Sequence, residues 1–202
     1  MKKFLRSLAF WAMTLAGGLY GANAHAAGLP MPAPTDDSGG SNYQENLILD
    51  AGQISSNQPS STEGADYGLL IDNNTTTFWS SNWNDTGRGD LGYHYLQFDF
   101  DEPLDERVMF SYTVRQDAQN SNAPIEFAIL GSTDGNTYEE IRAFTAAGDN
   151  LPAAAATTPY SVVLEGVGGY TSLRMEVRNA TGGTFENYHY FALSEVQVYK
   201  LL

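Results

Sequence analysis

Asp72, Asn74 and Thr77 lie within six residues of one another in the stretch LLIDNNTTTFWSSNW, residues 69–83. Their side chains carry carboxylate, amide and hydroxyl oxygens, the hard ligands from which calcium builds a shell of about 6–8 oxygens. A tight loop could turn these oxygens toward one point, and one carboxylate from elsewhere would complete the shell. The alternative is an Asx turn, in which the same side chains bond nearby backbone amides. The pattern is not that of an EF-hand, and spacing alone favours the turn.

Two tryptophans close the same stretch. Sugars present an apolar face of C–H groups and a rim of hydroxyls, so binding them takes an aromatic platform and a few fixed hydrogen-bonding groups. We interpret Trp79 as a core residue. Trp83 lies in the polar segment NWNDTGRGD, residues 82–90, and is predicted to be exposed.

Short strands separated by turns must position these residues. Apolar–polar alternation and β-branched or aromatic runs predict strands at 95–100, 108–114, 125–130, 161–164, 173–177 and 192–199. The alanine-rich segment 143–156 is interrupted by glycine and proline, and we interpret it as a loop. The pattern predicts an all-β domain, an antiparallel β-sandwich with aromatic faces inside and end loops free to carry function.

The first residues have the three parts of a secretory signal peptide. Lys2, Lys3 and Arg6 precede an apolar run over 8–19, and a small-x-small cleavage site follows at Ala24-His25-Ala26. A membrane anchor is the weaker alternative, because a span needs about 20 apolar residues. We expect cleavage after Ala26, export to the periplasm or the cell exterior, a flexible linker over 27–43 and one domain over 44–202.

The charge of the chain argues against polyanionic partners. The sequence has 10 basic and 24 acidic residues, and the predicted signal peptide contains three of the basic ones, so the mature chain carries 7 − 24 = −17. Such a surface repels nucleic acid and anionic membranes. There is no cysteine, so an exported form would depend on its core or on bound metal.

Four stretches resemble, in order, the motifs of coagulation-factor type C, or discoidin-like, domains, and most of all the bacterial family-32 carbohydrate-binding modules. The opening stretch is similar to A-x-D-G-[DN]-x-x-T-x-W; the others are HYLQFDFDEPL at 94–104, SYTVRQDAQNSNAPIEFAILGSTDGNTYEEI at 111–141 and FALSEVQVY at 191–199. The resemblance covers residues 47–202 and implies a galactose-binding-like jelly-roll sandwich.

The resemblance also implies a structural calcium (Ca2+) site. Its ligands would be the side chains of Asp72, Asn74, Thr77 and Glu195 and backbone carbonyls near Leu70 and Ala192. Glu195 would supply the second carboxylate, and the ion would tie the first loop to the last strand. The family's glycine after the aspartate is Asn73 here. Asparagine tolerates left-handed dihedrals better than most residues, so the turn can form.

Glycan binding by the end loops is the function that the resemblance implies. The ligand-binding residues would be Trp83 as the stacking platform, with Glu63, Arg115, Asn120 and Tyr188 around it. Ser80 stands where sugar-binding members often have histidine, which weakens the case for galactose-type ligands. A salt bridge of Arg115 with Asp117 or Glu63 is an equally good interpretation, and for Tyr188 and His189 packing at a strand start is slightly better.

Catalysis is not expected. Glycoside hydrolysis needs two carboxylates across a cleft, and no motif marks such a pair. There is no metal triad, no GxSxG and no cysteine in the sequence. The alternative from another class is a protein-interaction or cell-adhesion domain of the same fold that binds no sugar. A monomer is expected, and the sequence leaves the sugar open.

Overall fold

The computed structural model describes residues 43–48, 50–84, 92–117, 122–185 and 187–201. The predicted signal peptide and all but the last residue of the predicted linker lie outside the described residues, and so does Asn120.

Within these ranges the chain forms twelve strands: β1 (Tyr43–Asn46), β2 (Ile54–Ser56), β3 (Trp79–Ser80), β4 (His94–Asp99), β5 (Arg107–Val114), β6 (Pro124–Ser132), β7 (Glu139–Thr145), β8 (Tyr160–Glu165), β9 (Ser172–Ala180), β10 (Thr184–Phe185), β11 (Tyr188–His189) and β12 (Ala192–Leu201). Among the residues described, helical structure is limited to one α-helix, α1 (Ala146–Asp149), and to 3-10 turns at Ala51–Gln53 and Tyr67–Leu70. In this part of the chain no helix has the length and apolar character to cross a membrane.

The strands form two antiparallel sheets. One sheet has the order β1–β12–β5–β8, with β3 added on β12, and the other has the order β2–β4–β9–β6–β7. Strands β10 and β11 form a separate hairpin. Each sheet contributes buried apolar residues to one shared core. The predicted antiparallel β-sandwich is therefore confirmed.

Aromatic side chains fill the space between the sheets. Alternate residues of β4 are buried, so Leu96 and Phe98 face inward. The ring of Phe98 meets that of Phe110 from the opposite sheet at 6.0 Å between centroids. Phe127 stacks on Phe144 at 4.7 Å. Such contacts stabilise a core without disulfides, because aromatic rings bury large apolar areas.

The interpretation of 143–156 as a loop is wrong in its first part. Residues 143–145 complete β7, which pairs with β6, and residues 146–149 form α1. Thr145 caps the helix by accepting a hydrogen bond from Gly148 N at 3.2 Å. Asn150 ends the helix in the left-handed conformation, with φ of 51°. The strand could not be recognised within the alanine-rich segment, because its buried residue Phe144 is stabilised by stacking on Phe127 of the distant strand β6.

Candidate functional site

Asp72 and Glu195 meet at a single backbone N–H. The amide of Asn74 donates to Asp72 Oδ1 at 2.9 Å and to Glu195 Oε1 at 2.7 Å. Asn74 and Glu195 are 121 residues apart in the chain. The early loop and the last strand are therefore in contact, and two carboxylates share one donor.

A β-bulge directs Glu195 toward this loop. The register of β12 against β5 shifts between Leu193 and Glu195. Leu193 and Val196 both belong to the core, although strict alternation would place them on opposite faces. The extra residue lets Glu195 leave the core side and reach the loop that follows the 3-10 turn at Tyr67–Leu70, which itself contacts β12.

The Glu195 carboxylate is poorly compensated where it lies. Its residue is 1% exposed, and its Oε2 atom is buried with no hydrogen-bond partner in the described part of the chain. Burial, followed by the hydrogen bond and negative charge of Asp72, raises the pKa of Glu195 to about 8. A buried charge without a partner is costly, so this site favours either a proton or a bound cation.

Thr77 and Asn73 shape the loop around the two carboxylates. Thr77 Oγ1 donates to Asp72 Oδ2 at 2.8 Å and contacts the Asn74 carbonyl at 2.6 Å. Asn73 has φ of 57°, the left-handed conformation expected where the family has glycine. The turn thus forms with asparagine in that position.

The Asn74 side chain, one of the predicted metal ligands, bonds its neighbour Thr76. The Asn74 side-chain oxygen accepts hydrogen bonds from Thr76 N at 3.1 Å and Thr76 Oγ1 at 2.7 Å, which is the Asx turn of the alternative interpretation. The Ala192 carbonyl accepts from Arg115 N at 3.5 Å, a long contact. Leu70, whose backbone carbonyl is the predicted ligand, is the last residue of the 3-10 turn that precedes the loop.

The potential metal ligands that the described residues place near Asp72 and Glu195 are oxygen atoms. Among the residues that the structure describes, no three His, Cys, Asp or Glu side chains form a cluster. Two carboxylates with hydroxyl and carbonyl oxygens fit a hard cation such as calcium, which accepts neutral oxygens, and do not fit metals that prefer imidazole or thiolate.

Arg115 lies over an aromatic ring at the edge of a pocket. Its guanidinium carbon is 3.6 Å from the centroid of Phe78. The pocket measures about 270 Å³ and is lined by Thr76, Phe78, Arg115, Gln116 and Asp117. Phe78 follows Thr77 directly, so the loop that contacts Glu195 also carries the ring on which Arg115 rests.

Both ion pairs considered for Arg115 are present, and both are long. Nη2 is 3.4 Å from Asp117 Oδ2, and Nη1 is 3.7 Å from Glu63 Oε1. The side chain is only 14% exposed, and its Nε atom is buried without a hydrogen-bond partner in the described ranges. The guanidinium rests on the Phe78 ring and keeps an unused hydrogen-bond donor at Nε. The two neighbouring carboxylates carry more negative charge than its single positive charge can offset.

The two tryptophans differ as expected. Trp79 is buried and packs against Phe191 at 5.5 Å between centroids. Trp83 is 39% exposed. Its segment runs beside that of Glu63, because Ser80 N donates to the Gly64 carbonyl at 2.9 Å. Ser80 itself is buried, and its hydroxyl bonds the Ser81 carbonyl at 2.9 Å.

Tyr188 lies half-buried in β11, with its ring edge-on to Tyr93 at 5.2 Å between centroids. Sequence reasoning missed Tyr93 and Phe78. The signal for Tyr93 was available, because inward-facing His94 and Leu96 place the residue before β4 on the outer side. No local signal marks Phe78 as the ring beneath Arg115.

Comparison with known proteins identifies related folds. The family model described as F5/8 type C domain matches residues 53–188. No curated protein matches the chain significantly.

Three solved Clostridium perfringens domains have a similar fold. A family-32 module of a family-89 glycoside hydrolase, in complex with GalNAc-β-1,3-galactose, has a TM-score of 0.56 and 16% identity, covering 76% of this chain and 99% of that one. A family-32 module of a family-31 glycoside hydrolase has a TM-score of 0.57 and 18% sequence identity, and the match covers 76% of this chain and 95% of that one. The family-32 module of NanJ, in complex with galactose, has a TM-score of 0.54 and 12% sequence identity, and the match covers 77% of this chain and 98% of that one.

Proposed function

The chain belongs to the F5/8 type C domain family, and from this premise we propose that it binds neutral glycans through its end loops without catalysing a reaction. Arg115 carries this proposal. Its guanidinium is fixed on Phe78 at the rim of a pocket of about 270 Å³ and has carboxylates of Glu63 and Asp117 within 3.7 Å. The similar modules in complex with GalNAc-β-1,3-galactose and with galactose support the choice of ligand class.

The arrangement suits hydroxyl groups. A planar guanidinium offers paired donors to vicinal hydroxyls, and carboxylates accept from them. Trp83 would stack on the apolar face of a sugar ring. Because Glu63 and Asp117 flank a single cation, a negatively charged sugar would meet net repulsion. We therefore infer a neutral ligand.

A structural calcium ion is the second part of the proposal. Asp72, Glu195 and Thr77 would hold it, with carbonyls near Leu70 and Ala192, and the Asn74 side chain would join only by leaving Thr76. When bound, the ion would neutralise two carboxylates and cross-link the early loop to β12. Since Phe78 follows Thr77, the ion would also steady the ring beneath Arg115.

The third part of the proposal is that the protein acts outside the cytoplasm. Residues 1–26 are proposed to direct export and to be removed, leaving a linker and the domain at 44–202 to meet glycans outside the cytoplasm. The excess of acidic residues is consistent with a role away from nucleic acid and anionic lipid.

Replacing Trp83 by alanine is expected to weaken glycan binding on the order of tenfold, because an exposed platform loses its stacking contact. Binding would be measured on an array of neutral saccharides in calcium, followed by titration calorimetry with the best ligand. Trp83→Phe keeps an aromatic ring and should retain most of the affinity. Thermal unfolding of each variant checks that the fold is intact.

Two results would contradict the proposal. One is an array on which the wild-type protein binds no saccharide. The other is full affinity in Trp83→Ala. Retention of a protein partner by Trp83→Ala, without any sugar bound, would favour the interaction-domain alternative.

Calcium binding near neutral pH is expected to release about one proton. The pKa of Glu195 is raised to about 8 in the metal-free protein, so below that pH the carboxyl must lose its proton before it can hold a cation. Calorimetry in buffers of different ionisation enthalpy would measure the release, which should vanish when the pH exceeds this pKa. Equal heats in all buffers at neutral pH would show that Glu195 is already ionised.

A further inference from the structure

Tyr93 is an exposed aromatic residue that the site described so far does not use. Trp83 and Tyr93 are the large apolar side chains that are exposed in the described part of the chain, at 39% and 42%. Two partly exposed rings offer less apolar surface than the several hundred Å² associated with protein interfaces. Exposed rings of this kind are better suited to stacking on a small flat ligand.

The backbone around Tyr93 is fixed by one side chain. Asn57 Nδ2 donates to the Tyr93 carbonyl at 3.0 Å, and Asn57 Oδ1 accepts from Tyr95 N at 3.1 Å. Between them, His94 is buried and its Nδ1 lies 3.0 Å from Ser81 Oγ. With His94 held inward, Tyr93 is held outward, and little backbone freedom would be lost when a ligand binds.

Tyr188 gives the exposed ring a defined orientation. The two rings stand at 81° to one another with centroids 5.2 Å apart, an edge-to-face contact. Tyr188 belongs to the β10–β11 hairpin, where it pairs with Phe185, which is buried. The rings of Tyr93 and Tyr188 thus form a nearly right-angled pair, here called the corner. Tyr188 is held by its hairpin, and Tyr93 is exposed.

Trp83 and the corner lie at the same part of the domain. Trp83 is two residues after Ser81, and Tyr93 is one residue before His94. Because a chain advances at most about 3.5 Å per residue, both backbones lie within about 10 Å of the contact between Ser81 and His94. The two backbones are therefore at most about 20 Å apart, which is within the reach of an oligosaccharide of several units.

We propose that Tyr93, backed by Tyr188, is a second stacking subsite that receives another sugar unit of the neutral oligosaccharide bound at Trp83. This rests on the proposed function and narrows it to oligosaccharides. Affinity then rises with chain length, since the second unit contacts a ring that a monosaccharide on Trp83 does not reach.

The test compares wild type, Tyr93→Ala and Tyr93→Phe by calorimetry in calcium. The probes are neutral galactose-, GalNAc- and glucose-terminated saccharides, from monosaccharides to tetrasaccharides. We expect Tyr93→Ala to weaken binding of the longer saccharides about threefold to tenfold. Binding of the matching monosaccharide should be unchanged, and Tyr93→Phe, which keeps the ring, should bind like wild type.

The possible results distinguish failure of the second subsite from failure of the glycan-binding proposal on which it rests. Wild-type affinity that is equal for monosaccharides and longer chains, or unaffected by Tyr93→Ala, overturns the subsite and leaves the glycan-binding proposal standing. Absence of any saccharide binding by the wild type overturns both. Because Tyr93 is exposed, loss of folding is not expected, and thermal unfolding of Tyr93→Ala checks this.

Discussion

Calcium in thousandfold excess over its dissociation constant is expected to raise the unfolding free energy of chelator-treated protein by about 4 kcal/mol. For a domain of this size that corresponds to a rise in the unfolding midpoint of roughly 8–16 °C. The physical reason is the pair of carboxylates that share the Asn74 N–H, with Glu195 Oε2 left buried and unpartnered. A divalent cation bound only by the folded state would remove that electrostatic cost. Differential scanning calorimetry with and without chelator measures the change.

Glu195→Gln should abolish the calcium response, because the second carboxylate is gone. The same substitution should not destabilise the metal-free protein above pH 8, since it removes a buried negative charge that lies beside the Asp72 carboxylate and keeps an oxygen to accept from Asn74 N. This combination distinguishes a cation site from simple loss of packing. Glu102→Gln is the matched control: Glu102 is exposed, and its calcium response should equal that of wild type. An unfolding midpoint that chelator does not move would show that no stabilising cation binds.

The strands were predictable because their signal is local. In β4 the alternation of buried and partly exposed residues follows directly from the sequence HYLQFD. The same reasoning failed at β7, where Phe144 is the buried residue and its neighbours give little contrast. The strand there depends on pairing with β6, which no window of sequence around residue 144 contains.

The candidate site was predictable only in pieces. The oxygen-rich loop at 72–77 is visible locally, but its partner Glu195 comes from the far end of the chain and was reached only through the resemblance. The bulge that places Glu195 there interrupts the pairing of β12 with β5, and pairing between distant strands leaves no local mark in the sequence. Tyr93 and Tyr188 likewise meet across 95 residues, so their ring contact cannot be seen in any local stretch of the sequence.

Acidification from pH 6.5 to pH 4 is expected to cost about 3 kcal/mol of unfolding free energy through His94 alone. Burial lowers the pKa of His94 from 6.5 to about 4. A histidine that resists protonation in the folded state stabilises the protein above its unfolded pKa, and that stabilisation is lost as the pH falls through the folded value. The side chain is 1% exposed, so a proton would create a charge almost without solvent.

The contacts of His94 explain why no partner compensates this charge. Ser81 Oγ accepts from Phe191 N at 3.0 Å and lies 3.0 Å from His94 Nδ1, so the Ser81 hydroxyl can donate to the neutral imidazole. Protonation of Nδ1 would reverse that bond, and Nε2 is buried with no partner in the ranges described. Both effects act against the folded state at low pH.

Chemical denaturation of wild type and His94→Asn at several pH values measures the effect. Asparagine can keep a polar contact with Ser81 and does not titrate, so the difference in unfolding free energy between the two proteins isolates His94. Calcium must be held at saturation, because protonation of Glu195 in metal-free protein acts in the opposite direction: its raised pKa gives stability that grows as the pH falls from about 8. If the two proteins lose stability in parallel from pH 6.5 to 4, His94 titrates alike in the folded and unfolded states and its burial carries no cost.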